Sequence, residues 1–202
     1  MVLPVFSLKG DSMLNHQNYK LAAGGAGMIA FTRLPNGTIN VLLSRRDKSV
    51  GEGLGITGGG FLNLDAFTSQ PAGAILPLTH EAYREAVEEN PGFENVITDN
   101  MFEKRAFHLT SFAVRTSDQH GVHVVCYYGL ELDENEFSQV KALPPSEERV
   151  GDLIATNLSW RQESLANKNP LDRFDMHGKE NFYHQHELYA FSALAENLAC
   201  AM

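Results

Sequence analysis

Glu81-Ala82-Tyr83-Arg84-Glu85-Ala86-Val87-Glu88-Glu89 is the stretch whose reading decides the fold, and it reads as a helix with one acidic face. At 100° per residue, Glu81, Glu85, Glu88 and Glu89 fall within about 100° of one another. Thr79 offers an N-cap, and Asn90 before Pro91, with Gly92 following, ends the helix at about Glu89. Glu88 and Glu89 then stand in the last turn, where the helix dipole prefers cations and a carboxylate costs roughly 0.3–1 kcal/mol. The like-charge pairs Glu81/Glu85 and Glu85/Glu89 each add about 0.2–0.5 kcal/mol of repulsion. A layout this unfavourable locally needs either plain solvation or a bound cation, and the helix alone leaves both open.

Just before it, Ile56-Thr57-Gly58-Gly59-Gly60-Phe61 reads as a glycine turn after an apolar strand. Turn and helix together resemble the Nudix box of pyrophosphate-cleaving hydrolases, G-x5-E-x7-R-E-U-x-E-E-x-G-U with U a bulky aliphatic residue. Arg84 to Glu89 matches R-E-U-x-E-E, with the small Ala86 in the aliphatic place. Gly59 stands as the opening glycine, and Asp65 six positions later where the family has its first glutamate. Three departures stand out. Gly59 to Arg84 spans 25 positions against the family's 14, so about eleven residues within 66–78 look inserted. The closing part, Asn90-Pro91-Gly92-Phe93, is one residue longer than x-G-U, and Thr57 replaces a proline that often precedes the glycines.

The resemblance implies a Nudix-type α/β/α sandwich with a mixed β-sheet and a Mg²⁺ cofactor, with Mn²⁺ as the alternative. Metal contact falls to Glu88 and Glu89, with Glu85 in or near the shell and a backbone carbonyl at Gly59 completing it. Arg84 becomes the partner that orients these carboxylates; without the resemblance it is a surface pair with Glu88. The family often draws a further acid from a later loop, where Ser146-Glu147-Glu148 lies; Glu148 is nominated ahead of Glu147. A substrate-side arginine is expected where Arg45-Arg46-Asp47-Lys48 ends a strand, and Arg45, following Leu43 in alternation, is chosen. The chemistry suits water attack on a phosphoanhydride, because a hard cation offsets the charge that repels a nucleophile.

Composition bounds the rest. With 202 residues, 43% hydrophobic and 20% charged, the chain is expected to form one soluble domain with a core needing no staples. A net charge of −9 argues against a surface that coats nucleic acid, so a phosphorylated small molecule must meet a local cation. The two cysteines, Cys126 and Cys200, show neither zinc spacing nor a disulfide framework, a reducing-compartment pattern. The first residues lack a basic n-region and no run reaches eighteen apolar residues, so a cytoplasmic protein without a membrane span is expected.

Outward from the box, residues 1–20 form a lead-in. The run Gly25-x-Gly27-x-x-Ala30 imitates a dinucleotide fingerprint but leads into a strand, so close packing is the better reading. Pro35-Asn36-Gly37 turns that strand into one over 39–44, and alternating runs at 107–114 and 122–132 form a hairpin. A strand follows over 152–160, then a C-terminal helix within 180–202, with Leu188, Phe191, Leu194, Ala195 and Leu198 on its apolar face. The inserted 66–78 reads as a lid, a homodimer contact or a packed Ω-loop. His184 and His186, placed on the C-terminal helix, would point about 200° apart and could not chelate. Trp160, Phe107, Phe112, Tyr127 and Tyr128 are assigned mainly to the core. Two functions remain. One is a Mg²⁺-dependent hydrolase of a nucleoside diphosphate linked to another group (ADP-ribose-like, a dinucleotide) or of a nucleoside triphosphate. The other is a nucleotide-binding protein of the same fold without turnover.

Overall fold

A computed structural model describes residues 20–35, 38–47, 52–62, 78–115, 121–147, 149–161 and 169–199. The lead-in before residue 20, Asp65, Glu148, Cys200 and all of the expected insertion except Leu78 lie outside these residues.

The sheet is built around β1, Lys20–Arg33. Along one edge it pairs in parallel with β6, Gly121–Glu131. The other edge is shared by two antiparallel partners. β4, Gly58–Leu62, takes the stretch from Gly24 to Met28, and β2, Ile39–Arg46, takes Phe31 to Arg33. β3, Gly53–Gly55, pairs with the end of β2 and leads the chain back towards β1. β5, Phe107–Arg115, lies outside β6, while β7, Ile154–Trp160, and β8, Phe174–Met176, continue beyond β2. The hairpin expected over 107–132 is the antiparallel pair β5–β6.

Where β1 changes partner, backbone groups would be orphaned, and Thr57 satisfies them. Its hydroxyl accepts the Ala30 N–H at 2.9 Å and donates to the Leu42 carbonyl at 2.8 Å, in a fully buried position. Proline could do neither, which gives the departure at this position a physical use.

Alternation along the strands divides the core into two layers. Ile29, Phe31, Val41, Leu43, Val125 and Tyr127 face one side, covered by α5, Glu187–Ala199. All five apolar positions assigned to that helix are buried. Met28, Ala30, Leu42, Cys126, Tyr128 and Leu130 face the other side, covered by α1, Leu78–Glu89, through Ala82 and Ala86. The result is an α/β/α sandwich on a mixed sheet.

Several local expectations change. Thr79 lies inside α1 rather than capping it, since the helix already includes Leu78. The glycines Gly58 to Gly60 form a strand, not a turn, with Gly59 opposite Gly27. Small residues there allow close packing, as expected: a Cβ on Gly27 would meet Tyr127 at 2.9 Å, and one on Gly59 would meet Ile56 at 2.7 Å. Three further helices complete the second layer: α2, Phe93–Val96; α3, Asp99–Arg105; and α4, Glu134–Lys141. Thr98 caps α3, and Asp133 with Glu136 forms a capping box on α4. The C-terminal helix starts at Glu187, not near 180, because Phe182 bridges to Leu54 and the Tyr183 N–H donates to the Leu54 carbonyl, drawing this segment against β3.

Candidate active site

The acidic face of α1 is not a solvated one. Glu81, Glu85 and Glu89 are 8%, 9% and 8% exposed, and only Glu88 stands well out in solvent. What makes this burial tolerable is Arg84, whose Nε donates to both Glu81 oxygens at 3.0 Å. Its terminal nitrogens reach Glu85 and, at 2.5 Å, Glu88. One guanidinium thus holds three carboxylates, and their attraction raises its own pKa further. Burial pushes Glu85 up to about 7; Arg84 opposes that rise, and Glu81 and Glu88 add to it.

Close approach to β4 seats the helix. A Cβ on Gly58 would lie 2.8 Å from the Ala86 Cα, so the small pair Gly58 and Ala86 replaces bulk with backbone contact. Asn90, just beyond the helix, donates to the carbonyls of Ala86 at 3.0 Å and Thr57 at 2.9 Å, locking the helix end to the seam in the sheet. The glycine against the Glu85 carboxylate is Gly60, where a Cβ would collide with it; Gly59 lines the neighbouring cleft without that contact.

Two cavities flank the helix, and Glu85 and Glu88 line both. The first, of about 620 Å³, also takes Glu89 and the loop Pro145-Ser146-Glu147. Glu147 therefore shares a cavity with the box carboxylates; its neighbour Glu148, the nominee from sequence, is outside the described residues. The second cleft, of about 520 Å³, runs past Gly59, Gly60 and Arg46 to Tyr127, Tyr183, His184, His186 and Glu187.

The arginine in that cleft is Arg46, not Arg45. Arg45 follows Leu43 in alternation, but its side of the strand end is uncovered and the residue is exposed. Arg46 is half-buried, with Nη2 3.7 Å from Glu89 Oε1 and Nη1 3.4 Å from His184 Nε2.

His184 and His186 precede α5 rather than riding on it, so the separation expected of a helix does not arise. Their rings lie side by side, 5.0 Å between centroids. Burial and the Arg46 charge lower both pKa values, with His184 also acting on His186, which falls to about 4. Glu187 is buried behind them and accepts the Ile56 N–H at 3.3 Å; burial pushes it up to about 7.

Arg149 carried no signal in the sequence. It is buried and donates to the carbonyls of Leu143 at 2.9 Å, Pro144 at 2.5 Å and Gly151 at 3.1 Å, bracing the loop that bears Glu147. The Val150 N–H donates to the Arg45 carbonyl at 2.8 Å and ties that loop to β2. Tyr127 and Tyr128 are buried as expected, while Phe107, Phe112 and Trp160 pack partly buried against the core.

Among solved structures, the fold matches a MutT/nudix family protein from Enterococcus faecalis with a TM-score of 0.58 at 17% identity, over 90% of this chain and 64% of that one. The chain has the Nudix fold. It spans about 64% of the length of that Enterococcus protein. The Nudix domain of Shewanella oneidensis NrtR, solved with ADP ribose, aligns at a TM-score of 0.48 and 15% identity over 89% of this chain and 90% of that one. An Ap4A hydrolase from C. elegans aligns at 0.45 and 11%, over 88% and 98%. No protein-family model and no curated protein matches the chain.

At the two cavities α1 offers only carboxylate oxygens, those of Glu85, Glu88 and Glu89, the type a hard divalent cation prefers. Among the described residues no three His, Cys, Asp or Glu side chains close into a ready-made metal cluster. Mg²⁺ asks for less than that, taking one or two carboxylates and filling its shell with substrate oxygens and water. Glu88 and Glu89, adjacent on the wall of one cavity with Glu85 a turn back, fit that demand.

Proposed function

We propose that this protein is a Mg²⁺-dependent pyrophosphohydrolase acting on a nucleoside diphosphate linked to a second group, with Mn²⁺ able to substitute. The observation that carries this is the placement of Glu85, Glu88 and Glu89 on one cavity, with the Arg46 guanidinium 3.7 Å from Glu89 in the adjoining cleft. Glu88 and Glu89 would hold the ion, which when bound offsets the charge of the P–O–P bridge and lowers the pKa of water.

The chain's own residues do the rest. Arg46 presents a planar fork to a phosphate oxygen, which a chain of net charge −9 otherwise repels. Arg84 keeps Glu85 and Glu88 aimed into the cavities by holding both carboxylates on one guanidinium. Glu147 faces the same cavity as the box carboxylates and takes the role of proton acceptor from water; the family resemblance nominates its neighbour Glu148 as metal ligand or general base. The Gly59 and Gly60 backbone leaves room for a ligand beside the helix. The sequence carries no readable motif for an activated serine, cysteine or histidine nucleophile, so attack by water without a covalent enzyme intermediate follows. Two phosphomonoesters leave when the substrate is ADP-ribose-like or a dinucleotide; a nucleoside triphosphate yields monophosphate and pyrophosphate.

Incubation with Mg²⁺ in ¹⁸O-water over a panel of these compounds tests the reading. Label is expected in one phosphomonoester or in the pyrophosphate. One observation favours a binding protein without turnover instead: Arg84 already pairs with Glu88, one of the two carboxylates a cation would need, and with Glu85 beside it. Nucleotide binding with no labelled product on any member of the panel would establish that second reading.

A further inference from the structure

Four aromatic rings run in a row along the cleft that Glu85, Glu88 and Arg46 also line. Tyr183 and His184 lie 4.5 Å apart between centroids, His184 and His186 5.0 Å, and His186 and Tyr127 6.1 Å. The row runs from solvent to interior: Tyr183 is 47% exposed and Tyr127 only 2%. Among the described residues only Tyr183 and Val150 are exposed large hydrophobic side chains.

The row is held by backbone, not left to chance. The Tyr183 N–H donates to the Leu54 carbonyl at 3.1 Å, and the Glu187 N–H donates to the His184 carbonyl at 3.0 Å. Opposite Tyr183, Gly53 allows the two segments to close up, since a Cβ there would come within 2.9 Å of the Tyr183 nitrogen. Burial and the Arg46 charge lower the pKa of both imidazoles.

We propose that Tyr183, His184, His186 and Tyr127 form the binding site for the flat heterocyclic base of a nucleotide. The cleft then has an ordered polarity: carboxylates at the helix, one guanidinium beside them, and uncharged π faces beyond. A second phosphate group would meet no lysine or arginine on that far wall, since Arg46 alone among the cleft's lining residues is a fixed cation. A base can lay its π face on one of these tilted rings and meet its neighbours at an angle, and needs no charge to do so. This assignment rests on the pyrophosphohydrolase reading only for what the base is attached to.

The test compares α,β-methylene-ADP with methylenediphosphonate, which keeps the P–C–P unit but has no base, in Mg²⁺ buffer by calorimetry. Tyr183→Ala is expected to weaken the nucleotide analogue by roughly tenfold or more, to leave methylenediphosphonate unchanged and to keep the parent Tm. Tyr183→Phe should restore binding. In the parent, the imidazole Cε1–H resonances of His184 and His186 should shift with the nucleotide analogue and not with methylenediphosphonate. Equal weakening of both ligands, or of neither, overturns the site, as does an analogue that binds the parent no better than methylenediphosphonate or leaves both histidine resonances unmoved. If the analogue binds through Tyr183 yet no pyrophosphate is ever cleaved, the base site stands and the hydrolase reading falls. If base-free pyrophosphates are cleaved as fast as nucleotides, the hydrolase reading stands and the base site falls.

Discussion

The two walls of the central cleft are built in opposite ways. One is a single helix, α1, whose Arg84 reaches Glu81 three residues before it, Glu88 four residues after it and its neighbour Glu85. The other gathers Arg46 from the end of β2, Tyr127 from β6 and Tyr183 to Glu187 from the segment entering α5. Their electrostatics differ as well. The helix wall gathers its carboxylates on Arg84, which opposes the rise of Glu85 to about 7 that burial causes, whereas in the deeper wall burial lowers His186 to about 4 and raises Glu187 to about 7. A partner within hydrogen-bond reach opposes the cost of burying a charge, and local periodicity supplies such partners more readily than a distant fold contact does.

If the helix wall is catalytic and not merely paired, its removal should have the largest effect. Glu89→Gln is expected to lower kcat by at least ~10²-fold. Metal-free stability should change by less than about 1 kcal/mol, because Gln keeps the size and one acceptor oxygen of the side chain and a carboxylate leaves the helix C-terminus. Rate assays with Mg²⁺ and melts in chelator check both. A drop of many degrees in the melt would make Glu89 a structural ion-pair residue and erase the contrast between the walls.

The deeper wall should instead show itself in stability. Glu187 titrates near 4.5 when unfolded and is pushed up to about 7 when folded, so the native state binds its proton more tightly between those values. Stability from this group is therefore full below about pH 4.5 and is lost as pH rises through 7. Glu187→Gln, which keeps an acceptor for the Ile56 N–H, should remove a penalty of up to roughly 3 kcal/mol above pH 7 and change little at pH 4. Glu85, also raised to about 7, stays in both proteins, so the difference between parent and variant in denaturant titrations isolates Glu187.

The smallest effect sharpens the border between the walls. Arg46→Ala should raise KM for a nucleotide substrate about tenfold, as expected for loss of a charged hydrogen bond. Arg45→Ala should stay within about twofold, since an exposed side chain of that kind contributes little. Equal effects would return the phosphate contact to Arg45.

How much of this was legible in the chain follows from the same contrast. The helix ending at Glu89, the grouping of its acids, the β5–β6 hairpin and the apolar face of α5 are all set by residues within one or two turns or one strand alternation of each other. Two further signals are equally local: Thr98 before Asp99, and the Asp133/Glu136 capping box. Only the tertiary structure decided that Gly58 to Gly60 form a strand, because their partner, Gly27, lies more than thirty residues earlier in the chain. It alone chose Arg46 over the adjacent Arg45, since that choice turns on where a covering layer ends. It also kept His184 and His186 off the helix, through a hydrogen bond from Tyr183 to Leu54 that no local pattern encodes. Short-range geometry is fixed by the periodicity of helix and strand, which a sequence displays directly. Burial, and with it the shifted pKa values of His186 and Glu187, depends on chain segments that meet only after folding.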